Sequence, residues 1–235
     1  SLFLLIVVVE GSAMICRRVV LFCLITAIST GTLVIPLSGQ SQFSAEDFDR
    51  RIAEIRRLAE QGDAESQLQV GYMYSEGLGV ELDYAEALRW YRLAVDQGYA
   101  RAQYILALMY AQGEGVPQDV VEAVRLFQLA VDQGYAEAQS DLGIMYENGN
   151  GVPQDFVEAA RLYQLAADQG NAVGLFNLGT MYQKGIGVPQ DVVEAVRLFQ
   201  LAADQGYYLA QNDLGTIYEE GAGVPQDVVE AARLY

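Results

Sequence analysis

Apolar residues recur through most of this chain at the i, i+3, i+4, i+7 spacing of a helix, and the phase of that recurrence resets every 36 residues. Within 100–135 the first stripe is Gln103, Leu106, Ala107 and Tyr110, which predicts a helix over Ala100–Ala111. The second is Ala123, Leu126, Phe127 and Ala130, which predicts a helix over Val120–Gln133. Gly113 and Gly115 break the first helix by supplying positive φ at its end. Val116-Pro117 then extends the chain, because a residue before proline avoids the α region. Asp119 follows as an N-cap with Glu122 three residues on, the spacing of a capping box in which each side chain satisfies the other's backbone amide. Gly134 ends the second helix.

The same order returns down the chain. Gly-x-Gly-Val-Pro-Gln-Asp stands at 113–119, 149–155, 185–191 and 221–227, with a degenerate copy at 77–83 where Glu81 and Leu82 replace Pro-Gln. Asp-Gln-Gly stands at 96–98, 132–134, 168–170 and 204–206. A fixed period of this length means stacked helix pairs, each burying its apolar stripe on its neighbours. The expected units are 64–99, 100–135, 136–171, 172–207 and 208–235. The segment 44–63, in which Phe48–Gly62 aligns with a lone second helix, is expected to cap the stack. Gly71, Ala107, Gly143, Gly179 and Gly215 share one register, where a bare backbone lets a facing helix approach. Tyr91, Phe127, Tyr163, Phe199 and Tyr235 share the complementary register of the second helices.

Residues 1–43 read as an address. With Met14 as start, Arg17-Arg18 precede an uncharged run from Val19 to Leu37 and then a polar stretch, the order of an export signal. The run is also long enough for a membrane anchor. Under either reading the basic pair stays inside and the repeats lie outside the cytosol, periplasmic or secreted.

Charge and chemistry narrow the function. The net charge is −17, and Glu10, Arg17 and Arg18 are the only charges before Ser44, so the acidity belongs to the array. Such a surface repels phosphate backbones and anionic lipid, so neither nucleic acid nor membrane is an expected partner apart from the N-terminal anchor. Histidine is absent from the sequence, and both cysteines, Cys16 and Cys23, precede the repeats. No metal, cofactor or catalytic residue is expected. The five Asp/Glu pairs at capping-box spacing are helix starts, since an active site is needed once and a helix start in every unit. Ser66, Ser75 and Ser140 have no lysine at helical spacing, and Lys184 is the only lysine. Nucleophile activation therefore has no obvious base.

A partner surface is expected where the units differ. Counting Ala100 as position 1, positions 4, 7, 8 and 11 of a first helix face the core, and positions 2, 5, 9, 12 and 13 fall on the opposite arc. Position 5 reads Leu68, Tyr104, Ser140, Phe176 and Asn212; position 9 reads Tyr72, Leu108, Ile144, Thr180 and Thr216. Tyr72, Tyr104, Leu108, Ile144 and Phe176 would form an apolar strip on the concave face, bordered by carboxylates such as Glu137 and Glu147. That arrangement suits a protein or peptide bearing basic residues. The alternative is that these side chains pack between neighbouring helices.

These residues resemble the Sel-one-like repeat family, relatives of the tetratricopeptide repeats. The resemblance rests on the Ala-x-Ala-Gln-x-x-Leu-Gly-x-Met-Tyr pattern seen at 136–146, the Gly-x-Gly-Val-Pro-Gln-Asp loop and the following Glu-Ala helix, and it covers 64–235. Ala172–Leu175 departs from it, reading Ala-Val-Gly-Leu. The resemblance implies an all-α, right-handed α-solenoid of antiparallel helix pairs, serving as a non-catalytic scaffold for protein–protein interaction. Some exported relatives are linked to β-lactam binding or cell-envelope chemistry. They carry repeat-spanning cysteines that this array lacks, so a cell-envelope hydrolase or β-lactam-binding protein is the alternative. A monomer is expected.

Overall fold

A computed structural model describes residues 45–234, and the readings for Met14, Arg17-Arg18 and 19–37 fall outside that span. Among the described residues there are eleven helices and no strand. They are α1 (Ala45–Glu60), α2 (Ala64–Glu76), α3 (Tyr84–Asp96), α4 (Ala100–Gln112), α5 (Val120–Asp132) and α6 (Ala136–Asn148). There follow α7 (Phe156–Asp168), α8 (Ala172–Lys184), α9 (Val192–Asp204), α10 (Tyr208–Glu220) and α11 (Val228–Leu234). Contacts run between consecutive helices along the whole series, so the molecule is a solenoid of helix pairs. No described helix is long and apolar enough to cross a membrane.

Each loop is built by its motif. Gly113 has φ 74°, and its N–H donates to the Met109 carbonyl, closing α4 in the left-handed cap that favours glycine. Gln118 Nε2 then reaches back to the Ala111 carbonyl at 2.7 Å, and Gln154, Gln190 and Gln226 repeat that bond. The glutamine of the loop is thus a clasp.

Asp119 accepts from the Glu122 amide at 3.0 Å, as an N-cap should, and such a cap contributes about 1 kcal/mol. The reciprocal half of the expected box is not formed. The Asp119 N–H donates instead to the Tyr110 carbonyl at 2.9 Å, which ties the second helix to the first. Its demand already met, the Glu122 carboxylate turns to Arg125 at 2.7 Å, and the Glu86, Glu158, Glu194 and Glu230 carboxylates pair likewise with Arg89, Arg161, Arg197 and Arg233.

The core is continuous across units because each first helix is buried on two sides. Leu106, Ala107 and their equivalents are buried as the pattern predicts, but so are position 3 (Ala102, Ala138, Gly174, Ala210) and position 10 (Met73, Met109, Met145, Met181, Ile217). A helix sandwiched between its own partner and the preceding pair has little polar arc left. Close approach is paid for with missing side chains. A Cβ on Gly143 would stand 2.6 Å from Tyr163, and one on Gly174 2.6 Å from the Ala166 Cβ. The Gly174 departure therefore seats α8 tightly on α7.

At the amino-terminal end, Ile52, Ile55 and Ala59 of α1 pack on Val70 and Met73 of α2.

Candidate functional site

The face carried by the first helices is the candidate, and the structure sorts its residues into two groups. Position 5 belongs to the packing in the first four units, whereas Asn212 of the fifth is exposed. The Tyr104 ring lies 5.8 Å from Phe127 and 5.2 Å from Tyr135 between ring centroids, and its hydroxyl donates to Asp141 at 3.0 Å. Phe176 lies 5.6 Å from Phe199 and 5.3 Å from Tyr207. Leu68 and Ser140 are buried outright. Ser140 donates to Asn171 Oδ1 at 2.9 Å, the same oxygen that caps α8 through the Gly174 amide.

A pairing rule emerges between position 5 and position 36, the last residue of each unit. An aromatic residue at 5 meets tyrosine at 36 (Tyr104 with Tyr135, Phe176 with Tyr207), while Ser140 meets Asn171. In these three units the variation at position 5 is compensated inside the chain. The two aromatic rings remain half-buried and reach the surface with one flank.

Position 9 behaves differently. Tyr72 and Leu108 are half-buried at the margin of the core, Ile144 is 36% exposed, and the Thr180 and Thr216 hydroxyls donate to the Phe176 and Asn212 carbonyls of their own helices.

The acidic border also divides. Glu137 is exposed and makes no hydrogen bond or ion pair among the described residues. Glu147 is engaged, accepting the Tyr163 hydroxyl at 2.6 Å. That bond and burial hold the Tyr163 phenol far above its ordinary range, burial being the larger cause. Ser75 plays the same part for Tyr91, whose phenol burial pushes up to about 12 while the Ser75 bond opposes the rise. Where the second helix carries Phe127 instead, position 12 is Ala111.

Two features were not read from the sequence. Asp141 is a half-buried carboxylate whose pKa desolvation raises, with the Tyr104 hydroxyl pulling it back. A depression of about 620 Å³ opens between the starts of α4 and α6, walled by Tyr99, Arg101, Tyr135 and Glu137 with Gln97 and Gln133 beneath. The hint in the sequence was Arg101, the single arginine on any first helix of the array. Its place beside two tyrosines 36 residues apart needed the fold. Among the described residues no three cysteine, histidine or acidic groups gather as a metal set would.

Stacked helix pairs with one varied face define an α-solenoid of the kind that presents side chains along an extended surface. The Sel1 repeat model matches 64–99, 100–135, 136–171, 172–207 and 209–235, and the chain belongs to the Sel1 repeat family. It is similar to a protective antigen present in uropathogenic Escherichia coli strains that displays an SLR fold, at 40% identity and TM-score 0.75. That match covers 78% of this chain and 39% of the antigen, so the chain spans about two-fifths of its length. A Sel1 repeat protein from Oxalobacter formigenes is 34% identical with TM-score 0.71, over 74% of this chain and 70% of that one. An immunity protein from Pseudomonas aeruginosa, 22% identical with TM-score 0.51 over 79% and 67% of the two chains, shares the fold. A comparison with curated proteins finds no match. Solenoids of this family are typically modules of protein–protein interaction.

Proposed function

We propose that the protein is a non-catalytic scaffold that holds an extended, basic peptide segment along its first helices. The observation that carries this reading is the contrast between positions 5 and 9. At position 5, Tyr104, Ser140 and Phe176 each meet the last residue of their own unit, whereas at position 9 Leu108 stays half-buried and Ile144 is 36% exposed. Apolar side chains left partly exposed along one row fit recognition of something outside the chain. The row is apolar at Leu108 and Ile144, and Glu76 and Glu137 flank it as exposed carboxylates. That is the arrangement of an apolar anchor with a charged rim. Work outside the cytosol is part of the proposal, supported by Arg17-Arg18 and the uncharged run that follows.

A phage-displayed dodecapeptide library panned on the whole 235-residue chain tests it. Recovered peptides should carry lysine or arginine beside apolar residues. Ile144→Asn should weaken them about tenfold or more, the loss expected of a central anchor. Val157→Asn, which changes a valine 67% exposed on a second helix, should leave them unchanged. Equal binding by the two variants, or no recovered peptide, sinks the reading.

A further inference from the structure

The depression between α4 and α6 holds two opposite charges that do not meet. Arg101 is half-buried in its wall and makes no ion pair or hydrogen bond among the described residues, although Arg89, Arg125, Arg161, Arg197 and Arg233 are each paired with the glutamate three residues earlier. Glu137, in the same wall, is equally unpaired. Tyr99 and Tyr135 stand near both, and Arg101 acts electrostatically on each hydroxyl, opposing the rise in pKa that burial imposes first. Tyr135 is also the ring that packs on Tyr104, so the depression continues into the aromatic cluster of the first-helix face. Its volume of about 620 Å³ suits one or two side chains of a bound segment.

The charge distribution decides what fits. The chain as a whole carries −17, so a purely acidic segment is repelled before it arrives. A purely basic segment is attracted, yet on closing over the depression it would bury Arg101 against like charge. A partly desolvated charge left without its counter-ion costs more than the pair is worth when made. A segment carrying a carboxylate beside a basic side chain meets both groups, its carboxylate on the Arg101 guanidinium, which presents a planar fork of donors, and its cation on Glu137. The two tyrosine rings can cover the apolar stems of both.

We infer that this depression is a selectivity site for a peptide segment of mixed charge, Arg101 reading an acidic group and Glu137 the neighbouring basic one. The inference rests on the proposed peptide-holding face and narrows it. Arg101 rejects the wrong partner as much as it attracts the right one.

Three sets of synthetic dodecapeptides with equal apolar content supply the test: lysine as the only charged residue, glutamate as the only charged residue, and glutamate alternating with lysine. Binding to the whole chain is read by fluorescence anisotropy. The mixed set should bind about tenfold tighter than the lysine set. Arg101→Gln should remove that advantage and leave the lysine set no weaker, and Glu137→Gln should weaken both lysine-containing sets. Unchanged melting temperatures in both variants show that the fold is intact. If the lysine set equals or beats the mixed set and is lost in Ile144→Asn, the groove stands and the role of Arg101 falls. Should no set bind at all, both readings fall together.

Discussion

Units 100–135 and 136–171 are built on one backbone plan and fill it in two ways. In the first, Tyr104 sits among Phe127 and Tyr135, and its hydroxyl crosses to Asp141 of the next unit. In the second, Ser140 and Asn171 form a small polar contact at the same place. The second helix brings Phe127 in one case, in one core cluster with Ala107 and Ala111, and Tyr163 in the other, facing Gly143 and Glu147. Each unit is internally consistent, and a single side chain moved from one to the other would be wrong. The difference teaches that residues varying between repeats are not thereby surface for a partner. Much of the variation is a matched exchange of one packing solution for another, and only what is left unmatched speaks of recognition.

The largest expected break is Gly143→Leu. The side chain would enter a space where even a Cβ lies 2.6 Å from the buried Tyr163 ring. Overpacking of this kind costs about 3 kcal/mol, which urea unfolding would read as a lowered midpoint. Wild-type stability in this variant would mean that the bare backbone does not set the spacing of α6 and α7.

A smaller effect sharpens the pairing of positions 12 and 28. Phe127→Tyr carries a hydroxyl to a site where Ala111 offers no acceptor, at a cost of about 1–3 kcal/mol. Adding Ala111→Glu copies the Tyr163–Glu147 arrangement and should recover most of that loss. Thermal melts of the singles and the double close the cycle. Additive losses would show that the two positions do not communicate.

The smallest effect is in the pH dependence at the Tyr104–Asp141 junction. Desolvation raises the folded pKa of Asp141 above its ordinary 3.8, so the folded state binds the proton more tightly than the unfolded chain does. Stability attributable to this group therefore falls as pH rises from about 3.8 through the raised value, and is regained on acidification. Asp63 and Glu122 act in the opposite sense. Their carboxyls are held below the ordinary range, Asp63 chiefly by its bonds to Ser66 and Glu122 by Arg125, so their contribution is lost as pH falls. Asp141→Asn should remove the first component alone, leaving a stability profile that rises more simply with pH above about 3.8. An unaltered profile in calorimetry would refute the assignment.

The repeat period, the helix pairs, their caps and the small-against-large register were all legible, because each depends on residues close in sequence or recurring at a fixed interval. The Pro-Gln-Asp loop was read only in part. Asp119 was recognisable as a cap, but the direction of its own N–H was not, because the competing acceptor is Tyr110 of the other helix. The burial of Met109 and Met145 was missed for a related reason: a single-helix stripe counts one buried face, and a helix between two neighbours has two.

The candidate face was legible as a set of positions and not as a site. By itself the sequence determined an acidic, all-helical stack without histidine, and it located the variable rows, since periodicity and composition are local properties of the chain. Only the tertiary structure decided which variable rows face inward, matched Tyr104 to Tyr135 and Ser140 to Asn171, and set Arg101 beside Glu137 without letting them pair. Those relations join residues some 30 or more positions apart across a helix interface, and their meaning lies in distance and burial, which no spacing along the chain encodes.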